Sequence, residues 1–375
     1  MALSRGTSAT PRPSGSRRTV RVMIVDDSLV ARTVLSRIVE AEPDLEIVAK
    51  ATTGEMAIAR LSEIAVDVIL LDLEMPGIGG MGALPRLLEL AGEAKILVVS
   101  SLTERGAEAT LAALAIGAAD TLLKPRAGEF DEGYAATLVA KIRALAARRT
   151  PAGSNAASSP ARPVTAARAA APMGEIEAIA IGASTGGIHA MCLLLGALSP
   201  SVTAPIVVVQ HLPASFTATL ARQLAAASGR PAGVAVAGEV FAAGRIYVAD
   251  GDGHLVVRRS AGRLVAAAAH HAVPSGCVPS VDPLFETLAD ASGGRALGIV
   301  LSGMGRDGLV GAQRFVKAGG ILFAQDAATS AVWGMPRAIA EAGLAEAVLP
   351  PEAIARRIEQ LCAAPSRRTI EAIRA

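Results

Sequence analysis

Hydrophobic positions along the chain fall into short continuous runs of Val, Ile and Leu, separated by longer segments with helical spacing. In the first half, the runs lie at Arg21–Val25, Ile47–Ala49, Val66–Leu71, Lys95–Val99 and Asp120–Leu123. Helix-like segments such as Ser28–Glu40 and Gly80–Leu90 come between them. Continuous apolar runs that alternate with helices are typical of parallel strands buried on both faces. The pattern therefore predicts a doubly wound α/β domain.

The same pattern returns in the second half and predicts a second parallel sheet. Its runs are Ala178–Ile181, Pro205–Val209, Leu297–Leu301 and Gly320–Phe323. The stretch from about Ala232 to Ser275 is richer in Gly and in short Val runs, so we expect hairpins or loops there.

One segment, 147–173, has no apolar period and is dominated by Pro, Ser, Ala and Arg. Such a composition cannot bury enough surface to offset the entropy of ordering it, so it is predicted to be a flexible linker. We expect a disordered extension over 1–19, a first domain over 20–146, the linker, a second domain over 174–366 and a tail over 367–375.

Composition excludes several classes of protein. The 36 basic and 34 acidic residues give a net charge of +2, too small a field to hold nucleic acid. The three cysteines form no C-x-x-C pair, which favours a reducing compartment. The apolar runs are much shorter than the roughly 20 residues of a membrane span, and the N-terminus lacks the apolar core of a secretory signal. We therefore expect a cytoplasmic monomer that neither binds nucleic acid nor inserts into a membrane.

Polar side chains follow the predicted strands of the first domain at the points where the strands end. They are Asp26, Asp27, Asp72, Ser100 and Lys124. Ligands collect at this edge of a parallel sheet, and crowded carboxylates favour a hard cation such as Mg²⁺. One carboxylate could then attack phosphorus and carry an aspartyl phosphate. Taken singly, the Asp pair could be a helix N-cap and Lys124 a surface turn.

The second domain opens on a glycine-rich turn around a serine, Gly182-Ala183-Ser184-Thr185-Gly186-Gly187, directly after a strand. The turn could expose the Ser184 hydroxyl at a helix N-terminus, where free N–H groups favour an oxyanion. Three interpretations compete: a helix N-cap, a dinucleotide-binding loop and a nucleophile. The glycine spacing does not fit G-x-G-x-x-G, whereas it does satisfy G-x-S-x-G.

A serine nucleophile needs a base, and the chain has five histidines. His211 follows the run Pro205–Val209 and so lies at the same sheet edge as Ser184. We expect His189 to point sideways or to solvent, because it lies on the helix after the serine. The remaining three fall in the variable middle, where exposed or loosely packed positions are expected: His254, His270 and His271.

Asp307 is the candidate to orient that base. It lies in the loop Gly303–Gly308, directly after the run Leu297–Leu301. It could instead be a helix N-cap, but together with Ser184 and His211 it indicates a catalytic triad. The order Ser, His, Asp differs from that of the α/β-hydrolases, so the G-x-S-x-G match does not indicate a lipase.

Residues 20–145 resemble the receiver domain of two-component response regulators, a flavodoxin-like fold. The resemblance implies that Asp72 is the phosphoacceptor, with Asp26 and Asp27 supporting Mg²⁺. It further implies that Ser100 is the switch hydroxyl and Lys124 the receiver lysine, with a cis bond before Pro125. Many receivers carry an aromatic switch residue where this chain has Thr121, so no aromatic-rotamer switch is expected.

The motifs of the second domain are similar to those of the chemotaxis response regulators that are protein-glutamate methylesterases. They are Gly182–Gly187, Gln210-His211-Leu212-Pro213 and Gly303–Gly308. The resemblance implies a Rossmann-like domain with Ser184 as nucleophile, His211 as base and Asp307 as its orienter. Backbone N–H groups near Thr185 and Met304 would bind the oxyanion.

This family resemblance also implies an activity and partners. We expect phosphorylation-activated hydrolysis of glutamate methyl esters on chemoreceptors, deamidation of receptor glutamines, a chemotaxis histidine kinase as phosphodonor, and no cofactor for ester hydrolysis. One alternative is a regulator with a DNA-binding output, which the absence of a basic recognition helix disfavours. The other is a catalytically inactive signalling adaptor, which a serine-reactive probe would distinguish from an enzyme.

Overall fold

The computed structural model describes residues 19–100, 104–125, 131–147 and 176–363. Nearly all of the predicted N-terminal extension, and all of the predicted linker except Ala147, lie outside the described residues, as does the predicted C-terminal tail. Within the described ranges no helix is long and apolar enough to cross a membrane.

The first domain is a five-stranded parallel sheet with helices on both faces. Its elements are β1 (Val20–Val25), α1 (Leu29–Glu40), β2 (Leu45–Ala51), α2 (Gly54–Leu61), β3 (Val68–Leu71), α3 (Gly79–Leu90), β4 (Lys95–Ser100), α4 (Glu104–Ile116), β5 (Asp120–Leu123) and α5 (Glu132–Ala146). The strand order is β2-β1-β3-β4-β5, the flavodoxin-like order. All five predicted strands are present, and the expected fold is confirmed.

The second domain is built around a seven-stranded parallel sheet. Its elements are β6 (Ala178–Ala183), α6 (Gly187–Ala197), β7 (Ile206–Gln210), α7 (Ala214–Ser228), β8 (Ala232–Val234), β9 (Ile246–Val248), β10 (His254–Ser260), β11 (Arg263–Ala269), α8 (Val281–Ser292), β12 (Ala296–Val300), α9 (Leu309–Lys317), β13 (Ile321–Gln325), α10 (Met335–Glu341), β14 (Ala347–Leu349) and α11 (Pro351–Ala363). The sheet order is β14-β13-β12-β6-β7-β9-β8, and β10 pairs with β11 as an antiparallel hairpin.

The central strands are buried on both faces, which explains their continuous apolar runs. Every residue of β6, β7 and β12 is buried. The middle stretch contains the expected hairpin, but it also supplies β8 and β9, which extend the main sheet as parallel strands. Expecting only hairpins or loops there was therefore wrong.

The position of β6 determines where ligands can collect. On one side of β6 lie β7, β9 and β8 in that spatial order, and the chain then returns to the other side of β6 with β12, β13 and β14. Such a reversal of strand order opens a crevice at the carboxyl ends of the central strands. Ser184 directly follows β6 at this crevice.

The two domains share one apolar cluster. Leu111 and Leu114 of α4 belong to the same buried cluster as Ile188 and Met191 of α6 and Leu220 of α7. The contact therefore places α4 and the start of β5 of the first domain over the edge of the second domain that carries Ser184.

Candidate functional site

The turn that carries Ser184 is held from three sides. Its N–H donates to the Ser302 carbonyl at 3.0 Å, and its carbonyl accepts from Gln210 Nε2 at 2.9 Å. Gly186 caps α6 with φ +77°, and a Cβ there would lie 2.4 Å from the Ala331 Cβ. Glycine is needed at this position for both reasons. The serine thus lies on a fixed backbone and is only partly buried.

His211 lies beside Ser184 at the end of the neighbouring strand. Ala183 and Gln210 are partners in the β6–β7 register, and the His211 N–H donates to the Ala183 carbonyl at 3.2 Å. Ser184 and His211 therefore directly follow a pair of partner residues at the ends of two adjacent parallel strands. Such strands lie about 4.8 Å apart.

Asp307 is hydrogen-bonded to His211. His211 Nε2 donates to Asp307 Oδ2 at 2.8 Å, and Asp307 itself is buried. The same carboxylate accepts from Ser280 Oγ at 2.6 Å and from the Val281 N–H at 2.8 Å. These three donors thus determine the orientation of the Asp307 carboxylate.

These contacts set opposite protonation states in the pair. Burial would raise the pKa of Asp307, but the hydrogen bonds from His211, Ser280 and Val281 lower it to about 2. Burial would lower the pKa of His211, but Asp307 and the neighbouring Cys277 raise it to about 9. Both shifts favour the charged forms, an imidazolium paired with a carboxylate.

Cys277 is a neighbour of this pair that the sequence did not suggest. A ring nitrogen of His211, the Cys277 sulfur and a carboxylate oxygen of Asp307 all lie within 4.8 Å of one another. Among the described residues, Ser184 Oγ makes no hydrogen bond to His211. The structure thus joins two members of the predicted triad and places the third on the adjacent strand.

The predicted oxyanion donors lie on two different segments. Thr185 is buried directly after Ser184, and Met304 is exposed in the loop after β12. Neither backbone N–H donates a hydrogen bond within the described part of the chain. Both are therefore available to a ligand.

The other histidines depart in part from expectation. His189 does not face solvent, because its Nδ1 donates to the Ala115 carbonyl of the first domain at 2.8 Å. His254 is buried, donating from Nε2 to the His271 carbonyl and accepting at Nδ1 from the Ser280 N–H. It therefore supports the segment that carries Ser280, and the expectation of a loose position was wrong. His270 and His271 are exposed, as expected.

The structure brings the acidic residues of the first domain together. Carboxylate oxygens of Asp26, Asp27 and Asp72 lie within 4.8 Å of one another. Lys124 Nζ lies 2.6 Å from Asp72 Oδ2 and 2.9 Å from Asp26 Oδ2. Burial raises the pKa of Asp72 above its ordinary value, although the lysine opposes this.

The predicted switch hydroxyl is buried beside this site. Ser100 Oγ lies 3.5 Å from Thr121 Oγ1 on β5. The expected cis bond before Pro125 is not found, since the one cis bond in the described ranges is Val278–Pro279.

A hydrogen bond connects the two candidate sites. Thr185 Oγ1 donates to Asp120 Oδ2 at 2.7 Å, and Lys141 Nζ donates to the same oxygen at 2.5 Å. Asp120 begins β5, next to Thr121. A cavity of about 10 Å³ lies here, large enough for about one water. It is lined by residues of both domains, among them Leu114, Asp120, Ser184 and Gln210.

Fold and sites together define a two-domain response regulator with an α/β output domain. Residues 22–131 match the response regulator receiver domain, and residues 179–358 match the CheB methylesterase domain. The chain belongs to the CheB methylesterase family.

Relatives of this family match most of the chain. It is 46% identical over 339 residues to a protein-glutamate methylesterase/protein-glutamine glutaminase 2 of Caulobacter vibrioides, covering 89% of this chain and 96% of the relative. It is 41% identical to a protein of Azospirillum brasilense named protein-glutamate methylesterase/protein-glutamine glutaminase, covering 88% and 90%. The crystal structure of the Thermotoga maritima CheB methylesterase catalytic domain is 33% identical and covers 50% of this chain and 100% of that one, with a TM-score of 0.49.

Proposed function

We propose that this protein hydrolyses glutamate methyl esters on chemoreceptors and deamidates receptor glutamines, under the control of its receiver domain. The names of the relatives state both activities, and the chain matches nearly the whole length of each relative. The observation that supports an active enzyme most directly is the placement of Ser184 and His211 on adjacent strand ends, with His211 hydrogen-bonded to buried Asp307.

The roles of the three residues follow from their contacts. Asp307 holds His211 through Nε2, which leaves Nδ1 to accept the Ser184 proton. Ser184 Oγ then attacks the ester carbonyl, and the Thr185 and Met304 N–H groups stabilise the oxyanion. His211 returns the proton to the leaving methoxide, or to the amide nitrogen of a glutamine. Water activated by His211 then hydrolyses the acyl-enzyme and restores Ser184.

The contacts with Asp307 and Cys277 raise the pKa of His211 and so favour its imidazolium form. A base must be neutral to accept a proton, so catalysis uses the fraction of His211 that has lost its proton, and this fraction increases with pH.

The receiver covers the nucleophile in the unphosphorylated protein. The cavity beside Ser184 holds about one water, which is too little for a glutamate methyl ester. Leu114 and Asp120 of the receiver form part of its wall. Movement of α4 and β5 away from Ser184 would open this space to substrate, and it is a domain rearrangement of the kind that interfaces within one chain permit.

Phosphorylation of Asp72 would drive that movement. The Asp26, Asp27 and Asp72 oxygens suit Mg²⁺, because all are carboxylates and the buried Asp26 Oδ2 accepts no hydrogen bond with good geometry. When bound, Mg²⁺ would neutralise charge on the incoming phosphoryl group. The Asp72 carboxylate attacks the phosphorus of the kinase's phosphohistidine, so that an O–P bond forms, the P–N bond breaks and the kinase histidine leaves. Lys124 then pairs with the phosphoryl oxygens.

The signal has a short route to the active site. Ser100 would turn to hydrogen-bond the phosphoryl group and leave Thr121, the residue next to Asp120. A shift of β5 would then break the hydrogen bond between Asp120 and Thr185. This route uses no aromatic residue, consistent with Thr121 at that position.

Methanol release from methylated receptors tests the proposal against the alternative of an inactive adaptor. Wild-type protein with a phosphodonor should release methanol from methylated receptors and ammonia from glutamine-bearing ones. Ser184→Ala should abolish both, with Ser201→Ala as a control on the surface. Release retained by Ser184→Ala would overturn the assignment of the nucleophile, and no release by wild-type protein would favour the adaptor. We further propose that the protein acts as a cytoplasmic monomer.

A further inference from the structure

The cluster formed by His211, Cys277 and Asp307 combines three different donor atoms on three separate segments. His211 follows β7, Asp307 lies in the loop before α9, and Cys277 lies in the loop before α8. Their donor atoms lie within 4.8 Å of one another. Ester hydrolysis as proposed above uses the imidazole and the carboxylate but gives the thiol no role.

We propose that these three side chains form a zinc site that competes with ester hydrolysis. Sulfur and imidazole nitrogen favour Zn²⁺ over Mg²⁺ or Ca²⁺, which prefer oxygen. Three protein ligands leave a fourth position for water. Ligand atoms on one tetrahedral Zn²⁺ lie about 3.3–3.8 Å apart, so closing the cluster needs a shift of about 1 Å. Cys277 lies in a loop and is only partly buried, so its side chain is the one with room to make this shift.

The carboxylate already has the surroundings of a metal ligand. Asp307 is held by Ser280 Oγ and the Val281 N–H, and both contacts can persist while an oxygen binds metal. Outer hydrogen bonds of this kind orient ligands and strengthen metal binding. His211 and Cys277 are only partly buried, which gives the ion an entry path.

Zinc binding would change the protonation of the cluster. The thiol releases its proton to solvent when the Zn–S bond forms, and the imidazolium releases one when its nitrogen binds. His211 could then no longer accept the Ser184 proton. Inhibition by zinc therefore rests on the proposed function, whereas zinc binding does not.

Metal binding at the receiver carboxylates can be separated from metal binding at the His211, Cys277 and Asp307 cluster. The receiver carboxylates offer oxygen only, so excess Mg²⁺ occupies them before a second metal is added. Cys192 and Cys362 are internal controls, because neither belongs to a cluster of three metal-binding side chains in the described ranges. Burial raises the pKa of both thiols, which disfavours the thiolate that a metal requires.

The experiment uses Co²⁺ as a spectroscopic substitute for Zn²⁺ on the full-length protein in excess Mg²⁺. One equivalent of Co²⁺ should produce a sulfur-to-cobalt charge-transfer band that Zn²⁺ abolishes. The band should persist in Ser184→Ala and Cys362→Ser and be lost in Cys277→Ser. Loss of an outer hydrogen bond typically weakens metal binding about 10- to 100-fold, so loss of the thiolate should cost at least as much.

Activity supplies the second readout. Zn²⁺ should inhibit methanol release by the wild-type protein, and a chelator should restore it. In Cys277→Ser, the rates of methanol release with and without Zn²⁺ should be nearly equal. Absence of the band in wild-type protein, or an equal band in Cys277→Ser, would overturn the site. A Cys277-dependent band without inhibition would overturn the competition. A Cys277-dependent band in a protein that releases no methanol would leave the site standing and reject the proposed function.

Discussion

Thr185, the residue after the candidate nucleophile, donates a hydrogen bond from its hydroxyl to Asp120 of the receiver at 2.7 Å. Asp120 starts the strand that also carries Thr121, whose hydroxyl lies 3.5 Å from that of Ser100. The candidate phosphorylation site and the candidate esterase site are thus separated by a few contacts. From each contact we derive a prediction about how the receiver would control the enzyme.

Removal of the Asp120 carboxylate should raise activity without phosphorylation. Asp120→Ala removes a charge-assisted hydrogen bond from the closed form, and such bonds contribute about 1.5–3 kcal/mol. Part of this is offset because Lys141 loses its partner as well, so we expect the basal rate of methanol release to rise about 5- to 30-fold.

Glu108→Ala is the matched control for that variant. Glu108 pairs with Arg222 across the same domain interface at 2.9 Å, but both side chains are more than 60% exposed. Exposed pairs contribute little to stability, so the basal rate should stay near that of the wild type. Equal basal rates for Asp120→Ala and wild type would show that this hydrogen bond does not hold the closed form.

Asp72→Asn should abolish activation by a phosphodonor and leave basal methanol release unchanged. The variant keeps the shape of the side chain but cannot carry an acyl phosphate. The measurement is the rate with and without a small-molecule phosphodonor, together with phosphate incorporation. Glu89→Gln, a surface change on α3, should behave like wild type. Incorporation that persists in Asp72→Asn would place the phosphate on another residue.

Thr121→Val should leave phosphorylation of the receiver intact but weaken the activation of methanol release that follows it. The change keeps the size of the side chain and removes the hydroxyl that contacts Ser100. We expect wild-type phosphate incorporation but a reduced ratio of phosphorylated to basal rates. If the ratio is unchanged, the signal crosses to the second domain without Thr121.

Asp282 makes stability depend on pH. Burial raises its pKa to about 6 from 3.8, although its carboxylate accepts from the Gly311 N–H. A carboxyl whose pKa is raised in the folded state favours folding when protonated, and this contribution is lost as pH rises through about 6. Asp282→Asn should therefore stabilise the second domain by about 2–3 kcal/mol at pH 8 and give almost no difference near pH 4.

Urea unfolding of wild type and Asp282→Asn across this pH range provides the measurement. The difference between the two proteins is informative, because the other carboxylates titrate in both. A difference that stays constant from pH 8 to pH 4 would contradict a raised pKa for Asp282.

The sequence predicted the two sheets because buried parallel strands leave continuous apolar runs. It also placed Ser184, His211 and Asp307 at one edge, since each follows such a run. The short strands β8, β9 and β14 were not predicted. Each has three residues, and β8 and β14 are incompletely buried, so none of them leaves a clear apolar run.

The missed functional residues have a common cause. Asp120 contacts Thr185 across 65 positions of sequence and between two domains, and no local pattern encodes such a contact. Ser280 and Cys277 reach the His211 pair through a loop without apolar periodicity. His254 was expected to be loose because it lies in the variable middle, but its position at the start of β10 buries it.

We propose that Ser184 is a nucleophile and that the unphosphorylated receiver covers it. The most direct test is the rate at which a fluorophosphonate probe labels Ser184 in full-length protein, located by peptide mass spectrometry, with and without a phosphodonor. We expect slow labelling that accelerates with the phosphodonor, no acceleration in Asp72→Asn, and no label in Ser184→Ala. Labelling at another residue, or a rate at Ser184 that does not respond to the phosphodonor, would contradict the proposal.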